Sequence, residues 1–162
     1  MKKCCCCSLL MPLSNFYKHP TGQDGRKTCC RECYRNKTKT RYAINKSKGY
    51  CVCCTSIAQF GIFCEKHLFM DISKNRLGTK KRWIEIKQLL LDQKYLCAYS
   101  EIHLILGNNA SLEHKIPLSK GGTNELSNIC WIDLRINIAK GAMTYSEFYE
   151  FTHHLYNQLK KP

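Results

Sequence analysis

Cysteine spacing constrains this chain more than any other feature. Cys4 and Cys7, Cys30 and Cys33, and Cys51 and Cys54 are each separated by two residues, and Cys64 stands three before His67. Two donors at that separation lie on one tight turn and bite a single zinc ion; two such pairs complete a tetrahedron. Thirteen cysteines among 162 residues would otherwise ask for a disulfide framework, which needs an oxidising compartment. Near the N-terminus Cys4 to Cys7 and Ser8 interrupt any signal-like apolar run, and no segment approaches the ~20 apolar residues of a membrane span. The expectation is a soluble, intracellular chain with no membrane partner, whose cysteines hold metal.

Spacing also selects the ligands. Within the run Cys4 to Cys7 only the two ends are three apart, so Cys4, Cys7, Cys30 and Cys33 form a four-cysteine zinc site that leaves out Cys5, Cys6 and Cys29. Cys51, Cys54, Cys64 and His67 form a second site of three cysteines and one histidine, leaving out Cys53. Both ions, two structural Zn2+, act as staples, because segments of roughly 30 and 20 residues cannot bury a sufficient core.

The chain carries 26 Lys and Arg against 12 Asp and Glu, a formal net charge of +14. That excess attracts polyanions and makes nucleic acid the first partner to consider. Between Arg26 and Lys48 nine basic residues face one acid, Glu32. Arg31 and Arg35 in this stretch are candidate phosphate contacts, of the kind that set affinity and register but not sequence preference.

Four segments follow. Residues 1–48 are a zinc module with a basic tail, Tyr34 to Lys48, that is a solvated helix or a linker. Residues 49–68 are the second zinc knuckle, and residues 69–94 a basic amphipathic linker helix. In that helix Trp83, Ile86, Leu89 and Leu90 share one side, with Lys80, Lys81, Arg82 and Lys87 largely on the other. Residues 95–162 are the core domain. Ala110 to Ile116 has strand character, a loop containing Gly121 and Gly122 follows, and Ser127 to Ile132 is a second strand. Asp133 caps a helix running to about Gly141, and Thr144 with Glu147 is a capping-box pattern ahead of an apolar face of Phe148, Phe151 and Leu155. The fold class is α+β.

Residues 111–140 carry the chemistry: Ser111-Leu-Glu-His-Lys-Ile-Pro-Leu-Ser-Lys-Gly-Gly122, then Asn128, then Asn137-Ile-Ala-Lys140. Phosphodiester hydrolysis needs a group that deprotonates water near neutrality, which an imidazole with a pKa of about 6.5 can do. It also needs a hard cation on oxygen ligands at the phosphate. The stretch resembles the ββα-metal core of HNH endonucleases (the His-Me finger type), whose usual form is Asp-His-x-x-Pro-x-Ser-x-Gly-Gly, a central Asn, then Asn-x-x-Lys. The first cysteine segment, with Pro12-Leu13-Ser14 and Phe16-Tyr17 between its pairs, is similar to the N-terminal zinc module of phage-type nucleases.

By that resemblance His114 takes the general-base position, and Glu113 and Asn137 hold a catalytic Mg2+ or Mn2+. Asn128 fixes the loop bearing the base, and Lys140, with Lys120, contacts phosphate. The implied activity is hydrolysis of double-stranded DNA. Two features depart from the family pattern. Glu113 stands where Asp is usual, which displaces the carboxylate by roughly one bond length from its place on an octahedral ion. Cys97, Ser100, Asp133 and Ile136 stand where many members carry a structural zinc. Apolar packing is therefore expected there, with Trp131, Leu96 and Phe148 in the core and Cys97 and Cys130 as buried thiols. Two other readings use the same charge: a zinc-containing DNA-binding protein that has lost cutting through Glu113, and an RNA-binding or RNA-cleaving protein.

Overall fold

A computed structural model describes residues 1–160. The chain divides into two compact units, one of residues 1–58 and the other beginning at Gln59.

The first unit is built on two small antiparallel pairs. Strand β1 (Lys2–Lys3) pairs with β2 (Leu10–Met11), and β3 (Phe16–Lys18) pairs with β4 (Arg26–Cys30). Its core is little more than Cys4, Phe16, Cys29 and Cys30, with Cys6, Met11 and Cys33 against them. With Cys51 and Val52, buried outside this cluster, the unit has six buried hydrophobic side chains, four of them cysteines, too few to stabilise a segment of this length unaided. Helix α1 (Arg31–Ser47) leaves β4 directly. The Cys30 sulfur accepts the Cys33 N–H at the N-cap, and Glu32 in the first turn and Lys46 in the last complement the helix dipole. None of its residues is buried. The basic tail is thus a solvated helix, not a linker.

In the second unit helix α2 (Glu65–Leu77) buries Phe69, Ser73 and Leu77, which recur every four residues on one face. It ends where Gly78 adopts a left-handed conformation, φ 74°, and Ser73 Oγ donates to the Thr79 carbonyl at 2.6 Å. Helix α3 (Trp83–Asp92) buries Ile86 and Leu90. The expected single linker helix over residues 69–94 is in fact parts of two helices, and the break falls at Gly78.

Strand β5 (Ala110–His114) pairs antiparallel with β6 (Ile129–Asp133), with Leu112 opposite Trp131, Glu113 opposite Cys130 and His114 opposite Ile129. Helix α4 (Leu134–Lys140) follows β6 at once, the Asp133 carboxylate accepting the Arg135 N–H at 2.8 Å as its cap. Trp131 is fully buried, edge-on to Phe69 with ring centroids 6.0 Å apart. Its indole N–H donates to the Ile86 carbonyl, and its backbone N–H to Gln93 Oε1, each at 2.8 Å. The strand–loop–strand–helix order expected of the core is present.

Helix α5 (Tyr145–Leu159) starts with the capping box of Thr144 and Glu147. Two expectations are corrected. Leu96 is 37% exposed and lies outside the core. Lys94 and Tyr95 before it are both left-handed, and the extended segment then turns Cys97, not Leu96, inward. Phe148 is only half-buried, and Phe151 and Leu155 are exposed, so α5 buries no apolar face among the described residues. Cys97 and Cys130 are buried as expected, and burial pushes the Cys130 thiol up to about 11. No helix among the described residues is long and apolar enough to cross a membrane.

Candidate functional site

Two kinds of site emerge from these elements. The first is a pair of donor clusters that could hold metal ions. Cys4, Cys7, Cys30 and Cys33 bring their sulfurs within 4.8 Å of one another, as do the donor atoms of Cys51, Cys54, Cys64 and His67. In the first set β4 ends at Cys30, and α1 raises Cys33 one turn later, so the pair is presented by a strand-to-helix junction. The Cys4 sulfur accepts backbone N–H groups from Cys30 at 3.2 Å and from Cys6 at 3.4 Å. Such bonds stabilise a thiolate, and that of Cys30 is the main cause holding Cys4 down to about 5. In the second set the Cys64 sulfur lies 3.2 Å from His67 Nδ1, and burial, with Lys66 and Lys80 nearby, keeps the imidazole pKa below its usual value. Four sulfurs in one set, and three sulfurs with an imidazole in the other, are donors that zinc takes, so both sets fit the ion in number, type and separation of donors.

The second site is formed by β5, the loop after it, β6 and α4. His114 closes β5 and is 9% exposed; its Nε2 lies 2.8 Å from Asn124 Oδ1. Because that oxygen only accepts, the bond calls for a proton on Nε2, which in the neutral ring leaves the lone pair on Nδ1. Asn124 is itself restrained, since the Arg82 guanidinium donates to its carbonyl and also pairs with Glu85.

Asn128 holds the loop from inside. Its Oδ1 accepts the Ile116 N–H at 2.9 Å, and its Nδ2 donates to the carbonyls of Ile116 and Thr123 at 3.0 and 2.8 Å. The loop closes so tightly that a Cβ on Gly122 would stand 1.8 Å from the Ile116 oxygen, which accounts for glycine there. Gly121 supplies the left-handed turn with φ 82°.

Glu113 and Asn137 have other partners. Asn137 Nδ2 donates to Ser111 Oγ at 2.7 Å, which orients the amide and leaves its oxygen uncommitted by that bond. Glu113 is 7% exposed, and its Oε1 accepts from Lys140 Nζ at 2.8 Å. Lys140 also donates to the His114 carbonyl at 3.3 Å and is fully buried. The expected phosphate contact by Lys140 is therefore corrected: an ammonium with no exposed surface reaches no DNA, and its charge is met by Glu113. A carboxylate and an amide oxygen suit a hard divalent ion, but in this structure the carboxylate already carries a cation.

The remaining basic candidates lie at the surface. Lys120 Nζ pairs with Glu147 at 2.7 Å, and Arg31 lies over the Tyr17 ring at 5.3 Å. Arg31 and Arg35 are both exposed on α1. A hollow of about 320 Å³ beside the loop is lined by Lys115, Gly121, Gly122 and Asn128. Sequence reasoning missed Asn124, a loop residue ten positions past His114 with no spacing signal of its own. It missed the Glu113–Lys140 pair because the family pattern puts Lys140 on a phosphate. No protein-family model matches the chain, and no curated protein matches it.

Proposed function

We propose that this chain is an endonuclease of the HNH type that hydrolyses double-stranded DNA, with its core in β5, the following loop, β6 and α4. The observation that carries the reading is the posture of His114: an imidazole at a strand end, fixed through Nε2 by Asn124, next to a loop that Asn128 ties with three hydrogen bonds. A rigidly held imidazole with Nδ1 free to take a proton is what general-base activation of water needs. The net charge of +14 supports a polyanionic substrate, and the exposed basic face of α1, including Arg31 and Arg35, supports contacts to its backbone.

In this reading His114 Nδ1 removes a proton from water, which attacks phosphorus in line and leaves a 5′-phosphate and a 3′-hydroxyl. Mg2+ or Mn2+ held by Glu113 and Asn137 would supply charge neutralisation at the phosphate. Lys140 occupies Oε1 of that carboxylate, so the ion would use Oε2 or displace the ammonium. The two zinc ions staple the short cysteine segments.

One observation favours a second reading. The buried Lys140–Glu113 pair satisfies the carboxylate without a metal, as in a DNA-binding protein that does not cut. Incubation with supercoiled plasmid in Mg2+, Mn2+ or EDTA separates the two. Metal-dependent nicked or linear product from the wild type, absent with His114→Ala, supports the nuclease. No product from folded, zinc-loaded wild type, with salt-sensitive DNA binding retained, supports the binding protein.

A further inference from the structure

The first zinc set has a neighbour made of cysteines that belong to no C-x2-C pair. The sulfurs of Cys4, Cys6 and Cys29 all lie within 4.8 Å of one another, and the same limit joins Cys4 to Cys7, Cys30 and Cys33. Cys4 belongs to both sets. The backbone explains how. Cys29 and Cys30 are successive residues at the end of β4, so their side chains leave the strand on opposite sides, one towards each set. Cys6 lies inside the turn whose ends, Cys4 and Cys7, serve the first set. Cys4 and Cys29 are 1% and 8% exposed, and Cys6 is half-buried. The Cys5 sulfur, 3.5 Å from that of Cys6, offers one more donor at the rim. Lys37 lines a hollow with Cys6 and Cys33, placing a cation beside the sulfurs.

We propose that Cys4, Cys6 and Cys29 form a second thiolate metal site, joined to the first through a bridging Cys4 sulfur, and that it takes a thiophilic ion of the zinc class. A thiolate keeps lone pairs after binding one zinc and can serve two ions at once. Three sulfurs converging without a hard oxygen donor select a soft ion. A second ion also suits this part of the unit, whose buried cluster is a single phenylalanine and its cysteines, since it cross-links β4 to the N-terminal turn. Lys37 offsets part of the negative charge that six thiolates on two ions would carry.

This inference rests on the zinc reading of the first set, and the test separates the two. The full chain is loaded under reducing conditions with the NMR-active isotope of cadmium. Bound cadmium per chain is counted after gel filtration, for wild type, Cys6→Ser and Cys29→Ala. The expected result is one ion more than the two sets built on C-x2-C and C-x2-H pairs account for. Two cadmium signals are split by each other through the shared sulfur, and either substitution removes one ion together with the splitting. Two ions with no mutual splitting in the wild type would overturn the second site and leave the first set standing. Fewer than two would overturn the zinc reading as well. Should both variants fail to fold, the wild-type count and splitting still decide.

Discussion

Lys140 and Glu113 neutralise each other inside the second unit, Nζ to Oε1 at 2.8 Å, across the junction of α4 and β5. The lysine is fully buried and the carboxylate nearly so, which makes each the other's necessary partner. Removing one leaves a buried charge uncompensated, a loss of about 3–5 kcal/mol, whereas replacing both with neutral groups of similar size costs far less. Urea unfolding is therefore expected to show Lys140→Ala strongly destabilised and Lys140→Met with Glu113→Gln largely recovered. The nuclease reading adds a second outcome: freeing Glu113 raises the affinity for Mg2+ or Mn2+. Either ion then lifts the unfolding midpoint of Lys140→Ala more than that of the wild type. An equal response in both proteins would count against Glu113 as a metal ligand.

Asn128 joins the two ends of the loop after β5 by three hydrogen bonds to backbone groups. Alanine there leaves two carbonyls and an N–H without their partner. At ~1 kcal/mol net for each bond, Asn128→Ala is expected to cost about 3 kcal/mol in denaturant unfolding. Asn128→Asp keeps the acceptor for Ile116 N–H but sets a carboxylate against the carbonyls of Ile116 and Thr123, so it offers no rescue. A change under ~1 kcal/mol in the alanine variant would mean that the loop is held elsewhere.

What the sequence disclosed and what it hid divide along one physical line. The two donor clusters were legible because two residues of separation fix a bite without help from the rest of the chain. The Asp133 cap and the Thr144–Glu147 capping box are likewise written within a few residues, as are the apolar patterns of β5 and β6 taken singly. Contacts between distant segments were not. Lys140 follows Asn137 by one helical turn, and periodicity alone does not show that this turn faces β5 and not solvent. Asn124 meets His114 only because the loop folds back over it. Helix α2 was obscured because Leu68, Met70 and Ile72 surround the buried Phe69, blurring the stripe that Phe69, Ser73 and Leu77 form.

Zinc removal is expected to unravel α1. The helix buries none of its residues, is strongly basic, and is anchored at its first turn by Cys30 and Cys33. Most helical stability in proteins comes from packing, which α1 lacks, and structural zinc in small modules supplies about 10–16 kcal/mol of folding free energy. Adding a strong chelator should lower the far-ultraviolet helical signal, and restoring zinc should return it. Cys33→Ser should reproduce part of the loss without chelator. A helical signal unmoved by complete zinc removal would show that β3, β4 and Phe16 suffice to seat the helix.

Acid should loosen the start of α5. The Glu147 carboxylate accepts from Lys120 Nζ at 2.7 Å and from the Thr144 backbone N–H at 2.7 Å, and the Lys120 bond is the main cause lowering it from 4.5 to about 2. A carboxyl group depressed in the folded state stabilises it above its ordinary pKa and loses that contribution as pH falls towards the folded value. The window is thus between pH 4.5 and about 2. Because the pair is exposed, salt should shrink the effect. Thermal unfolding midpoints across this range should fall less steeply for Glu147→Gln than for the wild type, with the two curves converging at the acid end. Parallel curves would show that Lys120 and Thr144 hold Glu147 equally well with or without its charge.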